Sequence, residues 1–107
     1  MISTHILDTT LGSPASGVHV FLEKKENEDW LLIDKNETNI DGRIVFNSKK
    51  ESGIYRLTFE VENYFKKNQQ EHFFMNTVVV FRITNFDRKY HVPILLNPYG
   101  YSTYRGS

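Results

Sequence analysis

Tyr55-Arg-Leu-Thr-Phe-Glu-Val-Glu-Asn-Tyr-Phe-Lys-Lys-Asn68 carries two hydrophobic periods in one stretch. Tyr55, Leu57, Phe59 and Val61 alternate with Arg56, Thr58 and Glu60, the pattern of a strand with one buried face. From Val61 the spacing changes, and Val61, Tyr64, Phe65 and Asn68 fall on one face of a short helix. On either side the strand period prevails. Val18, Val20 and Leu22 alternate with His19, Phe21 and Glu23. Trp30-Leu-Leu-Ile33 and Thr77-Val-Val-Val-Phe-Arg-Ile83 are apolar on both faces. A small antiparallel sheet usually has one wet face, so these two segments point to a covered outer surface. Gly and Pro punctuate the strands, as at Leu11-Gly-Ser-Pro14 and Asn97-Pro98. Asp41-Gly42, between Glu37–Ile40 and Arg43–Phe46, has the form of a hairpin turn. Pro93 argues for an edge or bulged position of the segment around it. Seven or eight short strands with one helical turn predict an all-β sandwich, a single domain over residues 1–107.

Composition narrows the function. With 13 basic and 13 acidic residues, the chain has no electrostatic footprint for nucleic acid or an anionic membrane. With no cysteine, disulfides and thiolate metal sites are excluded. The first residues, Met1-Ile-Ser-Thr-His5, lack the basic and long apolar regions of a signal peptide, and the longest apolar run, Val78–Phe81, is too short to span a bilayer. A cytoplasmic location is therefore the expectation.

Four histidines are available: His5, His19, His72 and His91. If Tyr90, Val92, Ile94 and Leu96 form a core face, His91 points outward with Pro93 and Leu95. His5 and His91 could offer two imidazoles to a zinc ion, but nothing in the spacing supplies the third or fourth ligand, so neither a metal nor another cofactor is expected. Arg43 follows the Asp-Gly turn directly. Taken alone, each of these residues reads most simply as a solvated side chain. The end of the sequence, Tyr99-Gly-Tyr-Ser-Thr-Tyr-Arg-Gly-Ser107, is too aromatic for a frayed tail and reads as a last strand.

Three segments together change that reading. Ser3-Thr-His-Ile-Leu-Asp8, with Gly12-Ser-Pro-Ala15 and Gly17-Val18 behind it, resembles the opening signature of the 5-hydroxyisourate hydrolases of the transthyretin-like family. Asp41-Gly-Arg43 resembles their central arginine motif, and Tyr90 to Ser107 resembles their C-terminal signature. Two departures, Asn97 in place of serine and Met75-Asn76 in place of a proline turn, fall on loops. The resemblance implies two four-stranded sheets with one short helix and a homotetramer. It also implies hydrolysis of the cyclic amide of 5-hydroxyisourate in urate degradation, with no metal or cofactor. It assigns catalysis to His5, Arg43, His91 and Ser107, and substrate contact to these and to Tyr104, Arg105 and Gly106.

The chemistry suits those residue types. Amide hydrolysis needs an activated water, a stabilised oxyanion and a proton for the leaving nitrogen. A neutral imidazole is a fitting base near pH 7, and either His5 or His91 could serve. The Arg43 guanidinium can hold substrate oxygens and offset charge on the tetrahedral intermediate. The Ser107 hydroxyl, or its terminal carboxylate, can hydrogen-bond substrate or a histidine, and Gly106 allows the final residues to turn where a side chain would obstruct. A transthyretin-like binding protein without catalysis is the alternative, and it would need an apolar channel.

Overall fold

A computed structural model describes residues 1–107. Nine strands and one helix follow in the order β1 (Ile2–Asp8), β2 (Ser13–Pro14), β3 (His19–Glu26), β4 (Asp29–Glu37), β5 (Arg43–Val45), β6 (Gly53–Phe59), α1 (Val61–Lys67), β7 (Thr77–Ile83), β8 (Tyr90–Asn97) and β9 (Gly100–Thr103). One sheet runs β4-β3-β6-β7, antiparallel throughout. In the other, β1, β8 and β9 lie side by side, and the outer edge of β1 is taken by two short strands in turn. β5 pairs Ser3–His5 and β2 pairs Leu7–Asp8, which makes this a five-stranded sheet. β9 pairs only Ile94–Asn97 of β8, so four strands lie abreast at the level of β2 and three at the level of β5. The two expected layers are present, one of four strands and the other of five rather than four, with the short helix between β6 and β7.

The core lies between the layers. Ile2, Ile6, Val20, Leu22, Tyr55, Leu57, Phe59, Phe65, Ile94 and Leu96 are among its buried members. Each such side chain, removed from water, contributes roughly 1.5–3 kcal/mol before conformational entropy is subtracted. The alternation Ile2, Thr4, Ile6, Asp8 inward leaves Ser3, His5 and Leu7 on the outer face of β1. The same rule turns Tyr90, Val92, Ile94 and Leu96 of β8 inward, with His91 and Leu95 outward. α1 buries Val61, Tyr64 and Phe65, and Tyr64 donates its hydroxyl to the buried Asp8 carboxylate at 2.8 Å. Asp8 also accepts from the amides of Thr10 and Leu11, so one carboxylate ties the helix to the turn after β1.

Two local expectations are corrected. Asp41-Gly42 does form a turn, but not a hairpin: β4 pairs with β3, β5 pairs with β1, and the connection crosses between the layers. Pro93 lies in β8, an interior strand, opposite His5. Its carbonyl accepts from the Thr103 hydroxyl, and the His91 carbonyl accepts from the Gly106 amide, so this edge of β8 faces β9. Tyr104 and Arg105 leave the ladder there, and the N–H that proline lacks has no strand partner to miss. No helix is long and apolar enough to cross a membrane.

Candidate active site

β1 and β8 are the only parallel neighbours in the fold, and this pairing builds the site. It sets Ser3 opposite His91 and His5 opposite Pro93. On the other side of β1, β5 sets Arg43 opposite His5 and Val45 opposite Ser3. Paired residues share a face, so Ser3, His5, Arg43 and His91 all project from the outer surface of this sheet. Three sequence segments far apart in the chain thus meet on one patch of about two strand spacings.

The turn before Arg43 is built for this placement. The Asn39 side-chain oxygen accepts from the amides of Asp41 (2.9 Å) and Arg43 (3.0 Å), and the Gly42 amide donates to the Asn39 carbonyl. Gly42 has φ +73°, and its carbonyl accepts from the Ile6 amide at 2.8 Å. A Cβ at Gly42 would stand 2.6 Å from the Ile6 carbonyl oxygen, so only glycine lets the turn lie against β1.

His91 is gripped on both ring edges. Its Nδ1 lies 2.9 Å from Ser3 Oγ. Its Cδ2 edge faces Gly106, whose absent Cβ would fall 2.5 Å from that atom. Gly106 has no unusual φ, so its role is space rather than the backbone freedom expected of it. A groove of about 210 Å³ opens beside the ring, lined by Ser3, Arg43, Val45, Lys89, His91 and Ser107. Tyr104 and Arg105 turn away from it. They line a neighbouring cavity of about 280 Å³ with Val79, Phe81 and Tyr90, and the Arg105 guanidinium sits over the Tyr90 ring at 5.0 Å. His91 lines both spaces. Within one chain, then, His5, Arg43, His91, Gly106 and Ser107 gather, and Tyr104 and Arg105 flank them.

Electrostatics favour uncharged imidazoles. Burial and the Arg43 charge hold His5 below the ordinary histidine range, against the opposing pull of the Asp41 backbone and carboxylate. Burial, Arg43 and His5 likewise lower His91. Near neutrality the patch therefore holds two neutral imidazoles beside a permanent cation, an arrangement able to accept a proton and to stabilise an oxyanion. The other two histidines lie elsewhere. His19 is an exposed partner of Glu37 at 3.8 Å, and His72 stacks on Phe65.

Ser3 and Lys89 were not singled out from the sequence. For Ser3 a signal was present: it stands two residues before His5 in a strand and so must share its face. Lys89 precedes β8, and nothing in its neighbours marks it.

Known proteins fit this picture. A family model described as HIUase/Transthyretin family matches residues 2–106. The 5-hydroxyisourate hydrolase of Mus musculus is 41% identical over 99% of this chain and 94% of its own length. The structure of Klebsiella pneumoniae 5-hydroxyisourate hydrolase superposes with a TM-score of 0.87 at 36% identity, covering 99% of this chain and 98% of that one. Sea bream transthyretin in complex with thyroxine superposes with a TM-score of 0.92, covering 98% of this chain and 93% of that one, at only 26% identity. Backbone likeness therefore does not separate enzyme from binder, whereas side-chain identity leans toward the hydrolases. Matched along almost its entire length, this chain belongs to the HIUase/Transthyretin family.

Proposed function

We propose that this protein is a 5-hydroxyisourate hydrolase, opening the cyclic amide of its substrate to 2-oxo-4-hydroxy-4-carboxy-5-ureidoimidazoline in urate degradation. The observation that carries the reading is the meeting of His5, Arg43 and His91 on one outer face, with both imidazoles kept neutral by burial and by Arg43. One imidazole removes a proton from water, and the water oxygen attacks the amide carbonyl. Arg43 faces the oxyanion of the tetrahedral intermediate. The C–N bond then breaks, and the proton passes to the leaving nitrogen, so that one water is added across the amide. Ser107, which borders the groove, and Gly106, packed against the His91 ring, contact substrate, and Tyr104 and Arg105 join them from the adjoining cavity.

Residues 1–107 act as one hydrolase domain in this reading, in the cytoplasm and as a homotetramer. Exposed Leu31, Leu32, Val78, Val80 and Leu95 support assembly, because they are apolar surface without a partner in one chain. A purely hormone-binding role fits less well, since Arg43, Lys89 and His91 make the groove polar. The test is turnover. Freshly generated 5-hydroxyisourate should lose its ultraviolet absorbance faster in proportion to added protein. Decay at the buffer rate would remove the proposal.

A further inference from the structure

Ser3 Oγ, 2.9 Å from His91 Nδ1, is the only side-chain hydrogen-bond partner of either site imidazole. Each end of this bond could be the donor in principle. The half-buried Ser3 hydroxyl has no other side-chain or backbone partner in the fold. If Nδ1 carried the proton, the serine O–H would be left without a protein acceptor. With the serine donating, both groups are satisfied. Nδ1 then accepts, and the neutral ring carries its proton on Nε2. The opposite ring edge is held by Gly106, whose backbone leaves no room beside Cδ2. A ring flip would lose the Ser3 bond, so the imidazole has one orientation, with Nε2 as its free polar atom.

We propose that Ser3 is a positioning residue that fixes His91 as a neutral Nε2–H donor toward the groove, leaving His5 as the base. This rests on the hydrolase reading above. His5 takes the proton from water as the C–O bond forms. The His91 Nε2–H and Arg43 hydrogen-bond the oxyanion, and His5 returns its proton to the nitrogen as the C–N bond breaks. His91 loses no proton, as suits a neutral imidazole, whose N–H is too weak an acid to give one up near pH 7 but is a good preorganised donor.

The experiment is a long-range nitrogen–proton NMR spectrum of the imidazoles, paired with kinetics of Ser3→Ala and Ser3→Thr. Wild type should show His91 as the Nε2–H tautomer. Ser3→Ala should show mixed tautomers and a kcat lower by about tenfold, with KM changed by less than about twofold, since orientation rather than binding is lost. Ser3→Thr, which restores a hydroxyl, should recover both signals. An Nδ1–H tautomer in wild type would overturn the assignment even if Ser3→Ala did not fold. Full kcat in Ser3→Ala would overturn the positioning role. Absence of turnover in wild type would instead remove the hydrolase reading, and the spectrum would still decide the tautomer.

Discussion

In the proposed reaction Arg43 has two parts: it faces the place where negative charge develops, and its charge adds to burial in lowering both neighbouring imidazoles. The first role needs the planar fork of a guanidinium, so Arg43→Lys should lose at least about tenfold in kcat although charge is kept. The second role sets the pH dependence. Burial, and after it Arg43, places both histidines below the ordinary value of 6.5. The reaction uses the neutral rings, so activity should fall as pH drops through a midpoint below 6.5. In Arg43→Gln the residual activity should lose its acid limb at a higher pH, because one cause of the lowering is gone. A kcat/KM profile for the two proteins checks this, and an unmoved midpoint would show that burial alone sets the values. His5→Ala and His91→Ala should each reduce kcat by about a hundredfold or more, the usual scale for an acid–base or oxyanion group, with little change in melting temperature. At this scale the sequence was largely legible. His5, Arg43 and His91 stand in recognisable motifs, and strand alternation turns His91 outward. Ser3 was legible as a neighbour of His5 on one strand face but not as the partner of His91, because that partnership depends on the register between β1 and β8, which no local pattern encodes.

At the scale of elements, the Asn39–Arg43 turn and the residues after β9 deliver the site. Gly42→Ala would force a side chain to φ +73° and against the Ile6 carbonyl, a strain of about 1–3 kcal/mol, and would shift the adjacent Arg43. Denaturant unfolding together with turnover should register both losses. Gly106→Ala should behave differently. Its Cβ would push on the His91 ring, while little buried area is lost, so turnover should fall with a stability change of about 1 kcal/mol or less. Asp8→Ala should do the reverse, destabilising by about 1–3 kcal/mol through the stranded Tyr64 hydroxyl and turn amides, while the His91 face keeps its register. The helix at Val61 and the strand period around it could be read directly, because both are local patterns of burial. The Asp-Gly turn misled because a tight turn fixes the reversal of the chain but not which strand it then meets. Pro93 misled because its missing N–H is harmless wherever the neighbouring strand departs.

At the scale of the whole molecule, β1 and β8 form the one parallel pair, and the candidate patch exists only when they do. The patch is open on a single chain, and apolar side chains of β4, β7 and β8 remain uncovered. Assembly would cover them, as the sequence suggested from strands apolar on both faces. Sedimentation at micromolar concentration should find a tetramer, and an active monomer would exclude that part of the account. The sequence could point to the need for cover but not to its geometry, since symmetry belongs to surfaces rather than to strand periods. The central claim is that the outer face of β1, β5 and β8 performs the hydrolysis. It is tested most directly by following the ultraviolet decay of fresh 5-hydroxyisourate with wild type and with folded His91→Ala side by side. Fast decay with wild type and decay near the buffer rate with the variant is the expected result. Equal rates for the two proteins would contradict it.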